Sequence, residues 1–72
     1  MIKLHETYKG KLVPKIESDL REEAKPFKEM EIICTSAWII DSGKYKNQIA
    51  FIPKNDELGW IPQEDLIDLQ EL

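Results

Sequence analysis

The side chains able to do chemistry in this chain are few and widely spaced. His5 and Cys34 are its single histidine and cysteine and stand 29 positions apart. With no second His or Cys to complete a tetrahedral ligand set, a structural zinc site is not expected. Cys34 lies near Ile32, Ile33 and Ala37, a setting for a small buried hydrophobe rather than a thiolate nucleophile. Ser18, Ser36 and Ser42 have no elbow motif around them and no choice of histidine base. Gly10, Gly43 and Gly59 are isolated, so no glycine-rich loop exists to cradle a phosphate. Asp56-Glu57 and Glu64-Asp65 are of the right type for acid/base work. Adjacent carboxylates in polar turns are solvated, however, and raising a carboxyl pKa takes a dry pocket that so small a core rarely supplies. These residues imply no enzyme, no metal, no cofactor and no small-molecule substrate.

Chemistry of contact remains. Trp38 and Trp60 are hard to bury completely in 72 residues, and part-exposed tryptophans are common anchors at protein interfaces. Trp60 is open between core packing, the default, and the rim of whatever sheet carries it, where Gly59 and Pro62 would hold it, whereas Trp38 is expected in core or hairpin packing. Tyr8 and Tyr45 would complete a surface patch around Trp60. Charge is unevenly placed: residues 1–28 carry seven basic and five acidic side chains, residues 29–72 three basic and nine acidic, giving the net −4. From Asp56 to Leu72 there are six carboxylates and no Lys or Arg. This end would repel phosphate backbones and could serve either plain solubility or the attraction of basic partners.

The elements that must position these residues are strands. At 72 residues the chain is a single domain, residues 1–72, with one core. Hydrophobic content of 42% beside 33% charged residues is globular, and no apolar run approaches the ~18 residues of a membrane span. The start has neither an apolar signal core nor a lipidation motif, so a cytoplasmic location is expected. Met1 to Tyr8 alternates Ile2 and Leu4 with Lys3 and His5 and reads as a half-buried strand, with a turn at Gly10. Lys11-Leu12-Val13 forms a second short segment ended by Pro14. Asp19 and Glu22 have capping-box spacing, predicting one or two helical turns over Leu20 to Ala24, ended by Pro26.

Met30 to Ile40 is the longest strand candidate. Its odd and even positions are both apolar, so periodicity does not decide which face is inward. Asp41-Ser42-Gly43 turns the chain, Tyr45 to Ile52 returns antiparallel, and Pro53 to Glu57 loops to Leu58 and Trp60. Pro62 has no amide to give a ladder, so the strand carrying Trp60 and Ile61 stops there. Gln63-Glu64-Asp65 suits one turn of 3₁₀, after which Leu66, Ile67 and Leu69 re-enter the core as a last strand. The expected fold is all-β: a small barrel of five short antiparallel strands, with a long first loop and a 3₁₀ turn before the last strand. Its expected core centres on Ile33, Ala50, Ile61 and Leu66.

Phe27-Lys28-Glu29-Met30-Glu31-Ile32-Ile33 resembles the segment at which Src-homology-3 domains leave their long first loop. Gly59-Trp60-Ile61-Pro62 followed by Leu66 is similar to their closing glycine, apolar pair, proline and 3₁₀ turn. Ala50 falls where that family has a small core residue, and Glu17 to Glu23 occupies the place of its acidic, partner-contacting loop. The resemblance covers about residues 10 to 70 and implies an SH3-like barrel. The aromatic groove that binds proline-rich peptides in that family is kept only at Pro62. Its early aromatic positions hold Leu12 and Val13 with Tyr8 nearby, its tryptophan falls near Asn47 with Tyr45 the closest aromatic, and its last tyrosine is replaced by Asp65. A polyproline ligand is therefore not expected, and the chain resembles a bacterial or mobile-element version of the fold turned to other contacts.

The expected function is a non-catalytic protein–protein interaction module, adaptor-like or inhibitor-like, binding a basic segment of a partner. The expected partner-binding residues are Tyr8, Glu17, Asp19, Glu22, Glu23, Tyr45, Trp60, Pro62 and Asp65. The alternative is a nucleic-acid-associated barrel of the Sm-like or ribosomal-factor kind using Lys9, Lys11, Lys15, Lys44 and Lys46, against which net charge argues. No membrane contact is expected.

Overall fold

A computed structural model describes residues 2–16, 21–55 and 58–72. These form five antiparallel strands: β1 (Thr7–Leu12), β2 (Glu31–Ile39), β3 (Ile49–Pro53), β4 (Ile61–Pro62) and β5 (Leu66–Glu71). They make one curled sheet of order β4-β3-β2-β1-β5, a half-barrel that brings its two ends together through the turn between β4 and β5. That turn is a 3₁₀ helix over Gln63–Asp65 with Pro62 at its N-cap, as the proline-stopped segment predicts. Among the described residues there is no α-helix, and none is long and apolar enough to cross a membrane.

The interior is built by the inward positions of each strand. Leu12, Cys34, Ala50, Phe51, Leu58, Ile61 and Leu66 are buried, and Ala24 seals one side from the first loop. Tyr8 and Phe51 meet edge to face with ring centroids 5.9 Å apart. Ile33, expected in the core, is 42% exposed. The side of β2 that packs is Ile32, Cys34 and Ser36, which sends Ile33 and Thr35 outward.

Three departures from the sequence reading have local causes. β1 begins at Thr7, and Gly10 lies inside it rather than in a turn. Glycine fits there because a Cβ would stand 2.8 Å from Leu69 Cδ2 and make that side chain shift. Residues 2–6 instead form a turn with His5 at φ +65°, pinned by Ser36. The Ser36 hydroxyl accepts the Glu6 N–H at 3.2 Å and donates to the Lys3 carbonyl, and the His5 N–H donates to the Ser36 carbonyl at 2.6 Å. In the first loop a 3₁₀ helix spans Glu22–Phe27, with Arg21 at its N-cap making no side-chain cap bond and Pro26 inside rather than beyond it. The predicted capping residue Asp19 lies outside the described residues.

Candidate functional site

The aromatic residues gather at one end of the half-barrel. Trp60 is the centre: Trp38 meets it with ring centroids 6.3 Å apart and Tyr45 at 6.1 Å, both edge to face. Trp38, expected in core or hairpin packing, is 42% exposed. The register of β2 against β3 shifts between Ser36 and Trp38, and such a bulge re-aims the side chains beyond it. Strict alternation would put Trp38 on the inner face with Ser36. The bulge turns it out to the rim.

Trp60 is 37% exposed. Gly59, at φ +70°, brings the chain sharply onto β4 just before it, and buried Ile61 and Pro62 fix it from behind. Tyr45 is carried by the β2–β3 loop, which closes with Lys46 N–H donating to the Gly43 carbonyl at 3.2 Å and Gln48 N–H to the Tyr45 carbonyl at 3.0 Å. Gln48 then ties this loop to the 3₁₀ turn. Its side-chain amide donates to a Glu64 carboxylate oxygen at 2.5 Å, and its oxygen accepts the Glu64 N–H at 3.1 Å. The two elements that carry Tyr45 and Trp60 are thus fastened to each other by side-chain bonds.

Beside the rings lies a pocket of about 280 Å³, lined by Arg21, Ala24, Lys44, Tyr45, Leu58, Trp60, Ile61, Pro62 and Asp65. Four of the residues predicted for partner binding, Tyr45, Trp60, Pro62 and Asp65, therefore line one pocket. Of its charged members Asp65 is expected, whereas Arg21 and Lys44 are not. Lys44 lies over the Tyr45 ring, its ammonium 5.3 Å from the centroid. The Arg21 guanidinium covers Gly59, within 2.5 Å of where a Cβ there would be.

The structure buries two of the predicted site residues. Tyr8 is 5% exposed; its ring packs on Phe51 and its hydroxyl accepts the Lys3 N–H at 2.9 Å, so it builds the core and contributes nothing to the rim. The inward phase of β1 causes this, since Tyr8 shares it with Leu12. Asp65 is 7% exposed rather than displayed. In a 3₁₀ turn residues three apart eclipse one another, so Asp65 follows Pro62 inward. There its carboxylate accepts the Lys15 N–H at 3.3 Å and its carbonyl the Val13 N–H at 2.8 Å, joining the turn to the end of β1.

Of the predicted acidic loop, Glu22 and Glu23 are exposed, with Glu22 paired to Lys25 at 2.7 Å. Glu17 and Asp19 lie outside the described residues. Sequence reading misses Arg21, Gln48 and Ser36, none of which belongs to a motif. The bulge that frees Trp38 has no composition signal either.

Cys34 is buried among β1, β2 and β3, with its thiol 3.8 Å from the Tyr8 carbonyl. Burial pushes its pKa up from 9.0 to about 11, which makes it a poor nucleophile. Among the described residues no three His, Cys, Asp or Glu side chains converge as a metal site. No protein-family model, curated protein or solved structure matches the chain.

Proposed function

We propose that this chain is a non-catalytic protein-interaction module of SH3-like barrel type whose binding face is the rim formed by Trp38, Tyr45 and Trp60. The observation that carries the proposal is the cluster of exposed Trp38 and Trp60 with half-buried Tyr45 beside a pocket of about 280 Å³. Large, stiff aromatic side chains give up little entropy on binding and dominate interface energetics. The SH3-like reading is supported by the 3₁₀ turn between Pro62 and Leu66 and by the order of the five strands.

The pocket takes an uncharged, apolar side chain of an extended partner segment. Arg21 and Lys44 on its wall outnumber Asp65 and would oppose a cation within it. The basic residues proposed for the partner sit outside the pocket, drawn by exposed Glu22 and Glu23, which lie in sequence between Arg21 and Ala24, and by the net charge of −4.

The test is affinity selection of random peptides on the intact chain, followed by binding measurements with the Trp60→Ala and Glu23→Gln proteins. Trp60→Ala is expected to weaken selected peptides more than tenfold with the fold intact, about 1.4 kcal/mol or more. Glu23→Gln is expected to slow association and flatten its salt dependence. Equal affinity for wild type and Trp60→Ala would overturn the proposal.

A further inference from the structure

The outer face of the β1–β2–β3 sheet is a second surface, distinct from the aromatic rim. Pairing places Lys9 and Lys54 on either side of Ile33: Lys9 is opposite Ile33 in β1, and the Lys54 N–H donates to the Ile33 carbonyl at 2.8 Å just past the end of β3. The neighbouring rows set Lys11 beside Glu31, and Thr7 and Thr35 beside Ile52. Directly opposed residues point to the same side of a sheet. Ile33 is thus a ridge between two lysines, and it is 42% exposed, with Ile52 at 38% and Met30 at 51%.

Two hollows flank that ridge. One, of about 300 Å³, is walled mainly by Phe27, Met30, Ile32, Pro53 and Leu58, with Glu31, Lys54 and Asn55 also on its wall. The other, of about 410 Å³, lies beside Thr35, Ile52 and Lys54. Ile33 borders both.

Charge selects the occupant. The chain carries a net −4, yet the outward positions of β1 and β2, with Lys54 beyond β3, hold Lys9, Lys11 and Lys54 against Glu31, which is 3.9 Å from Lys9. A second copy would bring the same lysines face to face across a two-fold axis. A nucleic acid would find aliphatic side chains where bases need aromatic platforms. We propose that this face docks an acidic, apolar protein segment, whose aliphatic or aromatic side chains fill the hollows on either side of Ile33 and whose Asp or Glu residues meet Lys54 and Lys9. The module then has two faces of opposite charge preference. Five residues of β2 separate Ile33 from Trp38, roughly 16 Å at ~3.3 Å per residue, so two segments can be held at once.

The experiment selects a random dodecapeptide display library on the Trp60→Ala chain, whose rim is disabled, at low salt. Enriched peptides are then assayed on Ile33→Ser and Lys54→Glu versions of that protein, both changes being at exposed positions and checked for an unchanged circular-dichroism spectrum. Peptides pairing apolar residues with Asp or Glu should be enriched and should lose at least tenfold in affinity with either change; Lys54→Ala, the milder variant, should lose less than Lys54→Glu. Absence of an enriched family, a basic consensus, or affinity indifferent to both changes overturns the proposal. So does tighter binding of a poly-dT oligonucleotide than of any selected peptide. Because the rim is already disabled, failure here leaves the reading of Trp60 standing, and loss of rim binding leaves this face standing.

Discussion

Ser36→Ala isolates one side chain's contribution to the fold. Ser36 is fully buried, and its hydroxyl accepts the Glu6 N–H at 3.2 Å while donating to the Lys3 carbonyl. Alanine removes one oxygen and leaves no cavity of consequence, so the loss is that of the hydrogen bonds. Two bonds at ~0.5–1.5 kcal/mol each give about 1–3 kcal/mol. Because residues 3 and 6 are exposed, water can reach the abandoned partners, which favours the lower half of that range. A domain of this size has roughly 4–7 kcal/mol of total stability at ~0.05–0.1 kcal/mol per residue, so the change is easily seen. Urea unfolding should show a midpoint lowered by about 1–2 M for an m-value near ~1 kcal/mol/M. Hydrogen exchange should show faster opening at Glu6, with β3 and β4 slowed or sped only in step with global stability. A change below about 0.5 kcal/mol would refute the reasoning and show that the two backbone bonds between Ser36 and residues 5 and 6 hold the turn unaided.

Leu66→Ala should cost ~2–5 kcal/mol by denaturant titration, since Leu66 is buried where β5 meets β1. Gly10→Ala should destabilise by about 1 kcal/mol through its approach to Leu69, and a double-mutant cycle with Leu69→Ala should recover most of that as coupling. Cys34 should resist thiol reagents until the chain unfolds. Its folded pKa of about 11 exceeds the ordinary 9.0, so its contribution to stability is fully present below pH 9 and is lost as pH rises toward 11. Equilibrium unfolding of wild type against Cys34→Ala over that pH range checks it.

The end of β4 is legible in the sequence because Pro62 acts through covalent structure: a missing amide and a fixed φ stop a strand whatever surrounds it. The strand content of residues 30–40 is legible from composition, and its inward face is not, because Ile occupies both phases. Only the packed structure shows that Ile32 and Cys34 face in. Trp38 depends on one extra residue in a ladder, a register event with no marker in a single sequence. Tyr8 and Asp65 are buried, against expectation, for a shared reason. Side-chain polarity suggests exposure, whereas a part-buried partner, the Lys3 N–H for Tyr8 and the Lys15 N–H for Asp65, lets each turn inward. Tyr45 and Trp60 share a wall because Gln48 reaches Glu64 across 16 residues, a pairing invisible without the fold.

Isothermal titration of one rim-selected peptide into wild type, Trp60→Ala and Tyr45→Ala proteins of unchanged fold tests the central claim most directly. The aromatic-rim account predicts at least tenfold weaker binding for Trp60→Ala and a smaller loss for Tyr45→Ala, in keeping with Trp60 touching both other rings. Unchanged affinity in both, or a Trp60→Ala chain that no longer folds, would contradict it and place Trp60 in the service of stability alone.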